Sequence, residues 1–307
     1  MKKNKVLAVF MAASIFMSFA IYGCKGSSVE STKAIIGAGE ASGEAESNGA
    51  GSTTKGSNST PTIEETVVYE KDGIKITAKE YTTESIWGDG IKFLIENDTS
   101  KNLMVSCKAL IVNNYMISDL FATEVAAGKK TNEIMHLSSS QLKQSGIDVI
   151  GLIECYFHIY DNDTYDTVAD TECISIKTSL YNQMDTTADE SGEVLYDKGG
   201  IKIIGKYVND SDFWGSAALF YIQNTSGKNV GIQTENVSIN GFTFDAALFS
   251  ATVYDGKKSY DKMTLLSSEL KENGIDSVNE ISLKFKIYDP DTYKEIDKSD
   301  EIKFKVK

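Results

Sequence analysis

Two stretches decide the fold: Cys155-Tyr156-Phe157-His158-Ile159-Tyr160-Asp161 and, 128 residues later, Leu283-Lys284-Phe285-Lys286-Ile287-Tyr288-Asp289. In each, apolar residues return at every second position, the period of a strand with one buried and one wet face. The pair also belongs to a repeat that runs through most of the chain. At an offset of 127, Tyr69 matches Tyr196, Gly73-Ile74-Lys75 match Gly200-Ile201-Lys202, Trp87-Gly88 match Trp214-Gly215, Asn97 matches Asn224 and Lys101-Asn102 match Lys228-Asn229. After a one-residue insertion the offset becomes 128, with Phe121 on Phe249, Gly128-Lys129-Lys130 on Gly256-Lys257-Lys258, and Gly146-Ile147-Asp148 on Gly274-Ile275-Asp276. A period this long is far beyond that of solenoid repeats, so each unit can bury a core of its own.

Within the first unit, alternating runs predict strands near 67–70, 73–82, 91–97, 102–113, 116–126, 131–137, 150–160 and 171–177. One short helix is predicted from Ser139 to Gln144, with a twin from Ser267 to Glu272; Gly146 and Gly274 stand where a left-handed C-terminal cap needs them. Seven or eight strands in such a unit make a β-sandwich of immunoglobulin-like architecture, although the Cys…Trp…Cys signature of antibody domains is missing. The expected fold is therefore all-β, two tandem immunoglobulin-like β-sandwiches with one short helix each, after a disordered tether. The expected boundaries are a signal peptide over 1–23, a lipidated cysteine and tether over 24–66, repeat 1 over 67–178, a linker over 179–193 and repeat 2 over 194–307.

The 307 residues carry a formal net charge of −13, and every one of the 31 basic residues is Lys. Without Arg, the chain lacks the side chain best suited to bidentate phosphate contacts and base-edge reading. A nucleic-acid partner is not expected. Repeat 1 holds ten Lys against 17 acids and repeat 2 holds 15 against 17, so the second repeat is the less acidic contact surface. Anionic lipid heads and wall polymers should repel the whole.

At the N-terminus, three Lys among residues 2–5 precede an apolar run from Val6 to Tyr22, the layout of a secretory signal. Ile21-Tyr22-Gly23-Cys24 resembles the lipobox of bacterial lipoproteins, which implies diacylglycerol on Cys24; Tyr22 departs from the usual small residue. Residues 25–66 are rich in Gly, Ser, Thr, Ala and Glu with no apolar period, the composition of a flexible tether. The expected location is the cell membrane, lipid-anchored and facing outside the cytoplasm.

Both repeats resemble an uncharacterised immunoglobulin-like domain of secreted and lipid-anchored proteins of Gram-positive bacteria, similar in outline to the immunoprotective extracellular immunoglobulin-like group. The motifs are the Tyr-x-Lys-x-Gly-Ile-Lys opening, the Trp-Gly pair, the Ile-Glu-Asn or Ile-Gln-Asn strand end, the Val-Asn-Asn or Ile-Asn-Gly turn, Gly-Lys-Lys, and the Tyr-Asp-x-Asp-Thr-Tyr segment. The resemblance implies fold and location, and no activity.

Candidate ligand contacts are the loop aromatics Trp87, Trp214, Tyr115 and Phe242, each weighed against a packing role. Asp161, Asp163, Asp289 and Asp291 form short acidic loops with oxygen-ligand spacing for calcium, yet they lack the EF-hand pattern, and Asp-rich turns explain both copies. Three cysteines besides Cys24 lie in repeat 1 alone: Cys107, Cys155 and Cys173 read as small buried or half-buried thiols, with one disulfide as the alternative. His136 and His158 read as strand residues; no nucleophile, zinc or phosphate-loop motif is present, so no cofactor and no enzymatic activity are expected. The sequence thus points to a non-catalytic binding or envelope-interaction role for an unidentified envelope or extracellular ligand. The competing classes are an envelope enzyme or enzyme accessory, marked by acids converging with His158 in a cleft, and a passive spacer, marked by neither pocket nor exposed apolar patch.

Overall fold

The alternating runs fold as antiparallel strands in the computed structural model, which describes residues 60–85, 88–208, 217–244 and 249–305. The first half runs β1 (Thr66–Lys71), β2 (Ile74–Ser85), β3 (Gly88–Asn97), β4 (Leu103–Val112), β5 (Tyr115–Ile117), β6 (Ala122–Val125), β7 (Lys129–His136), α1 (Ser139–Gln144), β8 (Leu152–Asp161), β9 (Thr167–Asp170) and β10 (Ile174–Lys177). The second half repeats that order: β11 (Glu193–Lys198), β12 (Ile201–Val208), β13 (Ala217–Asn224), β14 (Val230–Ile239), β15 (Phe242–Thr243), β16 (Ser250–Val253), β17 (Lys258–Thr264), α2 (Ser267–Glu272), β18 (Glu280–Tyr288), β19 (Glu295–Lys298) and β20 (Ile302–Lys305). The fold is all-β, with two sandwiches and one short helix in each.

In the first sandwich, sheet β1-β2-β3-β7 faces β10-β8-β4-β5, with β6 and β9 added along β4 and β8. In the second, β11-β12-β13-β17 faces β15-β14-β18-β19, with β16 on β14 and β20 on β18. Edge-to-face phenylalanines fill the space between the sheets: Phe93 meets Phe157 at 5.4 Å, and its counterpart Phe220 meets Phe285 at 5.4 Å. Asn97 and Asn224 are wholly buried strand ends. Asn97 Nδ2 donates to the carbonyls of Lys101 and Val125, and its Oδ1 accepts from the Thr99 N–H and hydroxyl; Asn224 does the same with Lys228, Val253 and Ser226. One fully bonded amide thereby ties three chain segments together in each copy.

The predicted strand over 116–126 is two strands. β5 pairs with Leu110–Val112 and β6 with Leu103–Ser106, at opposite ends of β4. Between them the Asp119 carboxylate accepts the Phe121 N–H at 2.5 Å, a turn that breaks the run. The run predicted over 171–177 starts later, at Ile174, because the Thr171 hydroxyl takes the Phe157 N–H and interrupts pairing; β9 precedes it.

All described residues fall within one compact unit, and the two sandwiches are joined across it. β5 lies parallel beside β17, with Lys258 opposite Tyr115 and the Lys258 N–H donating to the Asn114 carbonyl at 2.9 Å, so one sheet continues from the first sandwich into the second. Tyr260 stacks on Tyr115 at 6.1 Å and tilts against Tyr221 at 5.2 Å, while Tyr156 meets Tyr254 at 5.1 Å. Lys257 Nζ lies 2.5 Å from the Glu154 carboxylate, with both side chains largely buried. The segment between the sandwiches packs on the same seam: Lys258 Nζ donates to the Thr186 carbonyl at 2.8 Å, and the Tyr260 hydroxyl donates to the Asp189 carbonyl.

Candidate functional site

Beside this seam the two sandwiches leave a cleft of about 840 Å³. Its first wall is the Ser118–Ala122 turn, the edge of β7 with Glu133, Ile134 and His136, and α1; its second is Tyr260, Asp261 and Lys262 of β17. α1 is fixed in this wall by its own ends. Gly146, at φ 68°, lets the Ile147 N–H reach the Leu142 carbonyl at 2.9 Å and the Gly146 N–H reach Lys143 at 3.1 Å, while Leu142 and Ile147 enter the core. The Gln141 amide exchanges two hydrogen bonds with Ser118, and the Gln144 amide donates across the cleft to the Tyr260 carbonyl at 3.1 Å.

Strand register puts the cleft acids in an unusual place. Asp261 lies opposite Phe220 and Glu133 opposite Phe93, so each repeat turns a carboxylate toward the core face of its strand, β7 at the edge of its sheet and β17 where it runs past its one bridge to β5. An inward-pointing charge at an edge discourages indiscriminate strand pairing. Burial pushes the Asp261 carboxyl above its ordinary range, against the Ser259 hydroxyl, which favours its charged form. Burial also raises Asp119, against the Phe121 N–H and the Cys107 thiol. His136 Nδ1 is buried without a hydrogen-bond partner. At the rim, Leu120 is fully exposed. Among the described residues, three carboxylates and a single cation, Lys262, therefore line the cleft. A smaller groove of about 430 Å³ runs between Thr62–Val68 and Ser175–Ser179.

Of the residues singled out in the sequence, Cys24, Trp87 and Trp214 lie outside the described residues. Tyr115 is not a free contact surface: it is buried in the seam on Tyr260. Phe242 is about half exposed on β15, and the hairpins beside both residues turn through Asn113-Asn114 and Asn240-Gly241 at positive φ. Asp161 Oδ1 accepts the N–H groups of Asp163 and Thr164, and Asp289 Oδ1 those of Asp291 and Thr292. These carboxylates cap their own turns, and among the described residues no group of three or more His, Cys, Asp or Glu is placed to hold a metal.

Cys107, Cys155 and Cys173 are free thiols. Cys173 is exposed rather than half-buried and donates to the Glu154 carboxylate at 3.6 Å; burial raises all three thiols. His158 lies away from the cleft, 2.8 Å from Asp170. The residues that sequence reasoning passed over are Asp261, Leu120 and Gln144; His136, read as a strand residue, ends β7 and lines the cleft. The available signal was an acid at a core-facing position of an alternating strand, present in both repeats as Glu133 and Asp261.

No family profile matches the chain, and no curated protein does. Among solved structures it is similar to the YadV chaperone, at 9% identity over 76% of this chain and 100% of that one, with a TM-score of 0.24. It is similar to the Salmonella enterica SafA pilin in complex with the SafB chaperone, at 10% identity over 78% and 98%, TM-score 0.24. It is also similar to the exo-beta-D-glucosaminidase CsxA, at 11% identity over 71% of this chain and only 26% of that enzyme, TM-score 0.24. Likeness at this level assigns neither partner nor activity.

Proposed function

We propose that this chain is a non-catalytic binding protein of the bacterial envelope, held on the outer side of the membrane by lipid on Cys24, and that it takes its ligand in the cleft between the repeats. The observation that carries this reading is the cleft itself: a roomy space with largely apolar walls in which a few charged and amide groups are set, bounded by two sandwiches that a tyrosine seam holds in fixed register. Ligand sites favour such junctions between domains. A passive spacer has no use for a built cleft with desolvated acids in its walls.

The anchoring half of the proposal rests on the signal-like N-terminus and the Gly23-Cys24 pair. Cys24→Ser should move the chain from the membrane fraction to the soluble fraction; continued membrane association would contradict it. The binding half is tested by retention of an envelope component on the full chain and on Ser140→Trp, which places an indole in the cleft wall. Retention should be lost in the variant while its melting temperature stays unchanged. Equal retention by both would move the site elsewhere.

A further inference from the structure

We infer that the cleft receives an extended, lysine-bearing peptide segment of a partner protein, which adds to the free edge of β17 with a cation beside Asp261. The inference rests on the cleft reading above and names its ligand class.

Main-chain geometry comes first. The Asn224 N–H donates to the Lys257 carbonyl, and the Lys258 N–H and the Tyr260 carbonyl bond away from β13, so in the β13–β17 ladder Ser259, Asp261 and Met263 bond to β13, while Lys258, Tyr260 and Lys262 turn their amides and carbonyls the other way. On that outer side Lys258 is taken by Asn114 and the Tyr260 carbonyl by Gln144. Lys262 has no backbone partner there among the described residues, and it opens on the cleft. An unpaired edge inside a cleft is the setting for strand addition, in which main-chain bonds supply affinity and side-chain positions supply selectivity.

Charge supplies the selectivity. A strand bonded at Lys262 would set its neighbouring residue opposite Asp261 in a non-hydrogen-bonded pair, the closer of the two pair types. Asp261 takes part in none of the ion pairs among the described residues. Glu133 and Asp119 stand in the same walls, and the whole chain carries −13. An apolar or acidic strand would bury beside an unpaired carboxylate, whereas a lysine would pair with it; the same charge steers cationic segments toward the chain. Exposed Leu120 offers an apolar contact at the rim.

The test is calorimetric titration of the full chain with acetyl-Val-Lys-Val-Lys-Val-Lys-amide, the Val-Glu counterpart and free lysine amide. The lysine peptide should bind, the other two should give no heat, and Asp261→Asn should weaken binding at least tenfold, with Asp148→Asn as an unaffected control. Melting of Asp261→Asn at or above that of the parent separates lost contact from lost fold. Silence of the lysine peptide, equal binding by Asp261→Asn, equal binding of the glutamate peptide or of lysine amide, or a heat of self-association abolished by Asp261→Asn would each overturn the inference. If Ser140→Trp nonetheless abolishes retention of an envelope component, the cleft stands as the site and only this ligand class falls.

Discussion

Asn97 and Asn224 show how much one buried side chain can hold. Each amide is inaccessible to water and satisfied by carbonyls and donors from three segments. Replacing either by Ala takes an amide donor from the buried carbonyl of Val125 or Val253 and the acceptor from the following turn, so Asn97→Ala or Asn224→Ala should cost about 2–4 kcal/mol in denaturant unfolding. Asp261 gives a second residue-scale expectation, with a sign fixed by burial. Its carboxyl titrates above the ordinary 3.8 in the folded state, so its contribution is fully present below that value and is lost as pH rises through the folded value. Asp119 acts in the same direction. Asp261→Asn should therefore melt higher than the parent at pH 7 and no higher at pH 3; a gain at pH 3 as large as at pH 7 would contradict the assignment. Asp297 has the opposite sign: Lys198, with help from Tyr196, holds it down to about 2, so its contribution is present above the ordinary range and is lost as pH falls toward 2.

At the scale of elements, most of the fold is legible from period and punctuation. The alternation of Cys155–Asp161 and Leu283–Asp289 forms β8 and β18, and both helices end where Gly146 and Gly274 allow. Those glycines sit at φ 68° and 66° with nothing near an added Cβ, so only backbone strain opposes a side chain. Gly146→Ala and Gly274→Ala should each cost about 1–2 kcal/mol by chemical denaturation, a smaller loss than that of either buried Asn. The split of 116–126 into β5 and β6 is not legible in the same way. Apolar residues stand on both sides, Met116-Ile117 and Leu120-Phe121, and the break comes from one carboxylate, Asp119, reaching one N–H.

For the whole molecule, the seam explains one set of differences between the two repeats. Tyr221 and Tyr260 stand where repeat 1 has Leu94 and Asn132, and Tyr115, Glu154 and Tyr156 stand where repeat 2 has Phe242, Ser282 and Lys284. These substitutions between the copies fall on the faces that meet, and the unmatched faces lack the partners needed to extend the stack. The candidate site was hidden from sequence for this reason. Gln144, Asp261 and Leu120 converge only because the repeats dock, and no local motif encodes docking. Tyr115, read as a loop aromatic, is instead half of the stack that makes the cleft possible. Tyr260→Ala removes its contacts with Tyr115, Tyr221 and Asp189 together. It should lower the unfolding free energy by about 3–5 kcal/mol and uncouple the halves. The measurement that tests the account most directly is differential scanning calorimetry of the full chain beside Tyr260→Ala. A single transition with equal calorimetric and van't Hoff enthalpies, divided into two by the substitution, is the expected result; two independent transitions in the unsubstituted chain would contradict a docked pair and the cleft built on it.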